Sequence, residues 1–231
     1  MLDLIYQDDS LVAINKPHGL LVHRSPIARN ADRFAVQELR NQLDQHVYPI
    51  HRLDRKTSGV LLFALNEDMN RQMQLLFQNR EVTKTYWAVV RGYTDEKGTI
   101  DYALTNDKGK EQEAISHYQT LEKTEIPVPF GKHSTSRYSL VEVQPETGRM
   151  HQIRKHFAHI LHPIIGDRPH GCNKQNRLFK EKWAMTTMLL HACVLNFKHP
   201  ETHKDIVIQA ALQPEFKAIL PQLGFSSPSF G

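Results

Sequence analysis

Apolar and polar positions alternate with a period near two through much of this chain, and only four stretches carry a helical period. "LIYQDDSLVAINKPHGLLVH" (residues 4–23) reads as two short strands around the Asp8–Asp9–Ser10 turn, then a Pro17–Gly19 turn into a third strand. Val36, Leu39 and Leu43 recur at helical spacing in "FAVQELRNQL", which predicts a short helix. "GVLLFAL" (59–65) is short and apolar throughout, the composition of a strand buried on both faces. "EDMNRQMQLLFQNR" puts Met69, Met73, Leu76 and Phe77 on one face with acids in the first turn, an amphipathic helix.

The middle of the chain is strand-rich: "TKTYWAVVRG", "GTIDYAL", "EAISHYQTLE" and "RYSLVEVQ" are separated by Gly, Asp and Lys turns. "PETGRMHQIRKHFAHI" opens a helix whose buried stripe is Met150, Ile153, Phe157 and Ile160. Arg168 to Lys182 holds five Lys or Arg against one Glu and reads as a basic loop. "MLLHACVLNF" and "KDIVIQAAL" are late strands, and Pro214 starts a last helix. Strands outnumber helices and hairpins link most of them, so the expected class is α+β around a mixed or antiparallel sheet. No repeat, low-complexity run or clear linker divides the chain, which predicts one domain over residues 1–231.

Composition narrows the classes. With 40% hydrophobic and 23% charged residues the chain belongs with globular proteins, and its net charge of +4 points weakly to a polyanionic partner. Two cysteines, Cys172 and Cys193, form no CxxC pair, which disfavours a disulfide framework or a cysteine zinc site. "MLDLIYQDDS" carries acids where a signal peptide carries lysines, and no apolar run reaches membrane-spanning length; a cytoplasmic protein is expected. Fourteen histidines invite a metal, but HExxH is absent and His51, His151, His156 and His159 match no common zinc spacing. No metal is expected.

The chemistry concentrates in "HRLDRKTSGVLL" (51–62), which crowds His51, Arg52, Asp54, Arg55 and Lys56 into the mouth of the buried strand. In the basic helix, Arg154 follows Ile153 and stands four residues after Met150, at the edge of the apolar stripe. A guanidinium there can be tucked in if a carboxylate meets it, and Asp54 is the obvious partner. Arg52 and Arg154 beside Asp54 would favour its charged form, making a poor general base but a sound nucleophile or electrostatic stabiliser. A plain structural bridge, and a solvated basic face for Arg149, His151, Arg154, Lys155 and His156, stand beside that reading.

These residues resemble the RluA-type family of RNA pseudouridine synthases. "HRLDRKTSGVLLFALN" looks like the family's His-Arg-Leu-Asp…Thr-Ser-Gly motif, and "LVAINKPHGLLVH" is similar to its Asn-Lys-Pro-x-Gly segment. "KTYWAVVRG" is similar to its Lys-x-Tyr strand, and "TGRMHQIRKHFAHILHPIIGD" to its Thr-Gly-Arg-x-His-Gln-Ile-Arg helix and following turn. "LHACVLNFKHPET" matches the late strand pair, so five motifs run in family order over about residues 1–213.

The resemblance implies a mixed, largely antiparallel sheet flanked by helices, no cofactor, and catalysis by Asp54 with Arg154 as its ion-pair partner. It implies that Tyr86 lies against the target base and helps remove the C5 proton, and that Arg52 replaces an extruded uridine in the stem. His51, Arg52, Arg55, Thr57, Lys84, Arg149, Gln152 and Lys155 are the expected RNA-contacting residues, flanked by cations at Arg24, Arg29 and Arg33 and in the 168–182 segment. "HPIIGDRPHGCNKQNR" carries His170 where many members have Tyr, and no S4 domain precedes the motifs. Both look like the branch that modifies uridine 65 in the acceptor/T-stem region of tRNA. A monomer needing no protein partner is expected. Ribosomal RNA, alone or beside tRNA, is the rival substrate. A non-catalytic RNA-binding module would be expected to lose Asp54 or Arg154, and a hydrolase would need a GxSxG-like element that is absent.

Overall fold

A strand with no polar side chain over six consecutive residues, Gly59 to Ala64, has to be covered on both faces, and the first half of the chain is built around one. The computed structural model describes residues 1–23 and 33–226. In chain order the elements are β1 (Leu4–Gln7), β2 (Leu11–Lys16), α1 (Ala35–Leu43), β3 (Tyr48–Pro49), β4 (Ser58–Ala64) and α2 (Glu67–Gln78). Then come β5 (Thr83–Arg91), β6 (Lys97–Asp101), β7 (Leu104–Thr105), β8 (Glu111–Gln112), β9 (Ile115–Ile126) and β10 (Ser136–Pro145). The chain closes with α3 (Gln152–His159), α4 (Asn173–Trp183), β11 (Leu190–Lys198), β12 (Asp205–Gln209) and α5 (Pro214–Gln222). Among the described residues no helix is long and apolar enough to cross a membrane.

Two compact units form. The first comprises Met1–Lys84 and His191–Ala211. Its central strand is β4, all seven residues buried, with β2 antiparallel beside it and β1 antiparallel beside β2. β3 pairs with β4 antiparallel, β11 runs parallel to the start of β4, and β12 returns antiparallel on β11. Leu11, Val60, Leu62, Leu195, Phe197 and Ile208 form the core with Met69 and Met73 of α2. That helix begins as its sequence requires: the Asn66 side chain accepts the Met69 N–H at 2.8 Å, and Glu67 and Asp68 complement the dipole.

The second unit comprises Thr85–Leu190 and Leu212–Gly231. Its strands lie in the order β5-β10-β9-β6, all antiparallel, and β7 and β8 make a separate hairpin. Ile153 and Phe157 of α3 pack on Ala88, Val90, Val141 and Val143 of the sheet.

Three expectations are corrected. Met150 is 40% exposed rather than part of the buried stripe, because α3 starts only at Gln152, after His151 turns the backbone to a φ of +58°. The Arg168–Lys182 segment is largely helix α4 rather than loop; it is anchored by buried Gln175 and Phe179, the latter edge-on to Tyr138 at 5.5 Å. The third strand after Gly19 reduces to a single bridge between Leu21 and Phe34.

The Thr-Ser-Gly motif has a direct structural cause. Gly59 sits opposite Ala192 in the parallel pairing of β4 with β11, at a φ of +110°. A Cβ at that position would lie 2.1 Å from the Ala192 carbonyl oxygen. Gly59→Ala combines backbone strain with a backbone clash and should cost about 3 kcal/mol or more of unfolding free energy. Urea denaturation checks this, and an unchanged midpoint would contradict the packing.

Candidate active site

A carboxylate on a free loop samples many positions, so the first question is what fixes the Asp54 turn. The Thr57 N–H donates to the Asp54 carbonyl at 3.0 Å and closes a tight turn directly before β4. Gly19 and Arg55 are tied twice: Gly19 N–H to the Arg55 carbonyl at 2.8 Å, and Arg55 Nε to the Gly19 carbonyl at 3.1 Å. Lys16, fully buried, donates from Nζ to the carbonyls of Leu20 at 2.8 Å, Pro17 at 3.0 Å and Arg55 at 3.3 Å. Burial pulls the Lys16 pKa down to about 7, and the nearby charge of Asp54 works in the opposite direction. The half-buried carboxylate thus stands beside a buried ammonium on a turn whose backbone is held at both ends.

Two neutral histidines brace the strand that follows. His191 donates from Nε2 to the Ala210 carbonyl at 3.1 Å, which leaves Nδ1 to accept the Ser58 hydroxyl at 2.8 Å. His51 accepts the Leu62 N–H on Nε2 at 3.1 Å and stacks on Phe77. Desolvation lowers both pKa values to about 4, reinforced at His51 by the Lys84 charge.

In the second unit the chemistry centres on Arg154. Its guanidinium is 5% exposed and meets Asp167, 1% exposed, through Nε to Oδ2 and Nη2 to Oδ1, both at 2.8 Å. This is the bidentate geometry a guanidinium favours, and it occupies one edge of a group with five N–H donors. Asp167 is fixed in turn. Asn176 of α4 accepts the Gly166 N–H at 2.9 Å and donates to the Asp167 carbonyl at 2.6 Å. A Cβ on Gly166 would fall 1.9 Å from the Thr187 carbonyl oxygen, so the turn admits no larger residue there. His170, just beyond, bonds His151 between ring nitrogens at 2.9 Å.

Tyr86 is half-buried on β5 and packs against the cluster containing Ile153 and Phe157. Arg52 is exposed, and Lys84 and Lys155 are half-buried, with burial and then the Arg80 charge lowering the Lys84 pKa. The solvated-face reading fails for Arg154 and for His156, which is fully buried and bonded to Ser116 and the Tyr102 carbonyl.

Two of the expected RNA contacts have buried side chains. Gln152, 4% exposed, accepts from Thr147 and the Arg149 N–H and donates to the Ile115 carbonyl and Ser116 Oγ. Thr57 is 3% exposed. Arg149 gives its Nε to the Glu113 carbonyl, and Arg33 is engaged bidentately by Glu38. Arg24 and Arg29 lie outside the described residues. Sequence reasoning missed Lys16 and Asp167, although both stand inside motifs it quoted.

With this geometry in place, the comparisons with known proteins decide the family. Residues 10–159 match the profile of the family described as RNA pseudouridylate synthase. The chain belongs to that family. It is 48% identical to "tRNA pseudouridine synthase C" of Haemophilus ducreyi over 99% of this chain and 98% of the relative. It is 44% identical to the protein of the same name from Vibrio cholerae, over 97% of each. The solved structure of "Human RNA Pseudouridylate Synthase Domain Containing 4" is 26% identical, with a TM-score of 0.77 over 98% of this chain and 95% of that one. The pseudouridylate synthase fold matches the expected class: α+β, with a mixed, largely antiparallel arrangement of strands flanked by helices.

Asp167→Asn tests the Arg154 bracket. It replaces one accepting oxygen with an amide that can donate toward a donor-only guanidinium, leaving a buried cation half answered. The expected cost is about 3–5 kcal/mol of stability, with a large fall in catalytic turnover. Wild-type stability together with wild-type turnover would mean that Asp167 does not orient Arg154.

Proposed function

We propose that the chain is an isomerase that converts uridine to pseudouridine in tRNA, at uridine 65 in the acceptor/T-stem region. The observation that carries this reading is the Asp54 turn, tied down by Lys16 and Arg55, in a chain so similar throughout its length to proteins named for tRNA pseudouridine synthesis. Within it, Asp54 acts on the reacting uridine and Arg154 is its ion-pair partner. Tyr86 lies against the uracil and assists removal of the C5 proton. Arg52 fills the space left by the extruded base.

The reaction breaks the N1–C1′ bond, turns the uracil and forms C5–C1′, while the C5 proton leaves and N1 gains one. Atoms and electrons balance within the substrate, so the chemistry needs no cofactor. Extruding the uridine costs a few kcal/mol, offset by stacking on Tyr86 and by phosphate contacts. Arg52, Arg55, Lys84, Arg149 and Lys155 supply cations for those contacts. The ring of His51 and the buried Thr57 and Gln152 shape the surface from beneath. The whole chain acts as one catalytic domain, as a monomer in the cytoplasm and without an obligatory protein partner.

Ribosomal RNA is the rival substrate, and the test separates the two. A tRNA transcript with uridine at position 65 and one with cytidine there are incubated with the protein and no added cofactor, alongside a ribosomal RNA fragment. Pseudouridine is expected in the first alone. Modification of both transcripts, or of the ribosomal fragment alone, would overturn the assignment to uridine 65.

A further inference from the structure

Helix α4 answers a question that the uridine chemistry leaves open. Its outer face, together with the turn before it, rims a cavity of about 350 Å³. Arg177 and Lys180 stand three residues apart on α4 and so share one face, and Arg168 approaches from the turn. Asn173 and Asn176 add amide groups, and Glu181 is the only acid in the lining. Among the described residues none of the three cations forms an ion pair. Beneath them lie the buried side chains of Phe179 and Met185.

We infer that this cavity seats a backbone phosphate of the RNA substrate, an assignment that rests on the proposed reading of the chain as an RNA-modifying enzyme. Three exposed cations spread over a helix surface would need no ligand. Here they converge on one concavity whose lining sets three cations against the single carboxylate of Glu181, and an anion would relieve that excess of positive charge. Two guanidinium forks and an ammonium suit the oxygens of a phosphodiester, and the Asn173 amide can donate a further hydrogen bond. A phosphate, unlike a base edge, needs no sequence match, which suits recognition of double-stranded RNA by shape and backbone.

Position gives the contact a second consequence. Asn176 lines the cavity and also holds Gly166 and the Asp167 carbonyl, so the phosphate seat adjoins the turn that orients Arg154. Binding energy gained away from the uridine is thereby brought against the element that positions a catalytic side chain. His170, whose backbone N–H points to Asp167 Oδ1 at 3.4 Å, belongs to the same turn.

The test uses fluorescence anisotropy of the full-length tRNA transcript across a potassium chloride series. Wild type is compared with Arg177→Ala, with Arg168→Ala/Lys180→Ala, and with Lys123→Ala, another exposed cation, on β9 and outside the cavity. Arg177→Ala should weaken binding about tenfold at low salt and lower the slope of log K against log salt by about 1. The double variant should weaken binding at least as much, again with a slope loss of about 1 because one phosphate is at stake, and Lys123→Ala should match wild type. Unchanged affinity and slope in both cavity variants, or equal losses in Lys123→Ala, would overturn the inference. Pseudouridine formation by wild type is followed in parallel, so failure of the functional reading registers separately from failure of the phosphate seat.

Discussion

A charge taken out of water has to be answered inside the protein, and this constraint organises the candidate site. The buried ammonium of Lys16 is met by three carbonyl oxygens and by the nearby charge of Asp54. The buried guanidinium of Arg154 is met by both oxygens of Asp167. Leaving either unpaired would cost several kcal/mol, a large fraction of the stability of a domain this size. The two arrangements therefore hold their backbones firmly. Lys16 draws together the turn after β2 and the turn carrying Asp54; Arg154 holds α3 to the segment that follows it. A catalytic group needs such fixed placement, because small displacements of reacting groups are costly to rate.

The surrounding residues serve the same end with neutral groups. His191 and His51 stay uncharged where they are packed, and each supports β4 through a defined ring nitrogen. Gly59 and Gly166 stand where a carbonyl from a neighbouring strand or loop leaves no room for a side chain. Gln152 spends its amide on four internal partners at the start of α3. The motifs thus include residues whose side chains only hold their neighbours in place, and a motif alone does not mark which residues these are.

Local patterning made much of the fold legible. The apolar run of β4 and the Met69–Met73 stripe of α2 carry their periods in the sequence, and Arg154 could be placed at a buried edge because it follows Ile153. The misses arise where tertiary contacts override local signal. Helix α4 has few apolar residues and depends on Phe179 meeting Tyr138. Met150 fits the helical period but lies before a residue with positive φ. Asp167 looked like part of a turn; its partner thirteen residues away on α3 emerges only in three dimensions. Lys16 was quoted within its motif, yet nothing in a one-dimensional pattern says that a lysine will be fully buried.

On the proposed reading, this framework presents the carboxylate of Asp54 to a uridine. Asp54→Asn changes the charge at nearly constant shape, so single-turnover pseudouridine formation on tRNA, measured with RNA affinity and thermal stability, tests it most directly. The variant should fold and still bind RNA but form essentially no pseudouridine. Turnover within tenfold of wild type, a barrier change below about 1.4 kcal/mol, would contradict it.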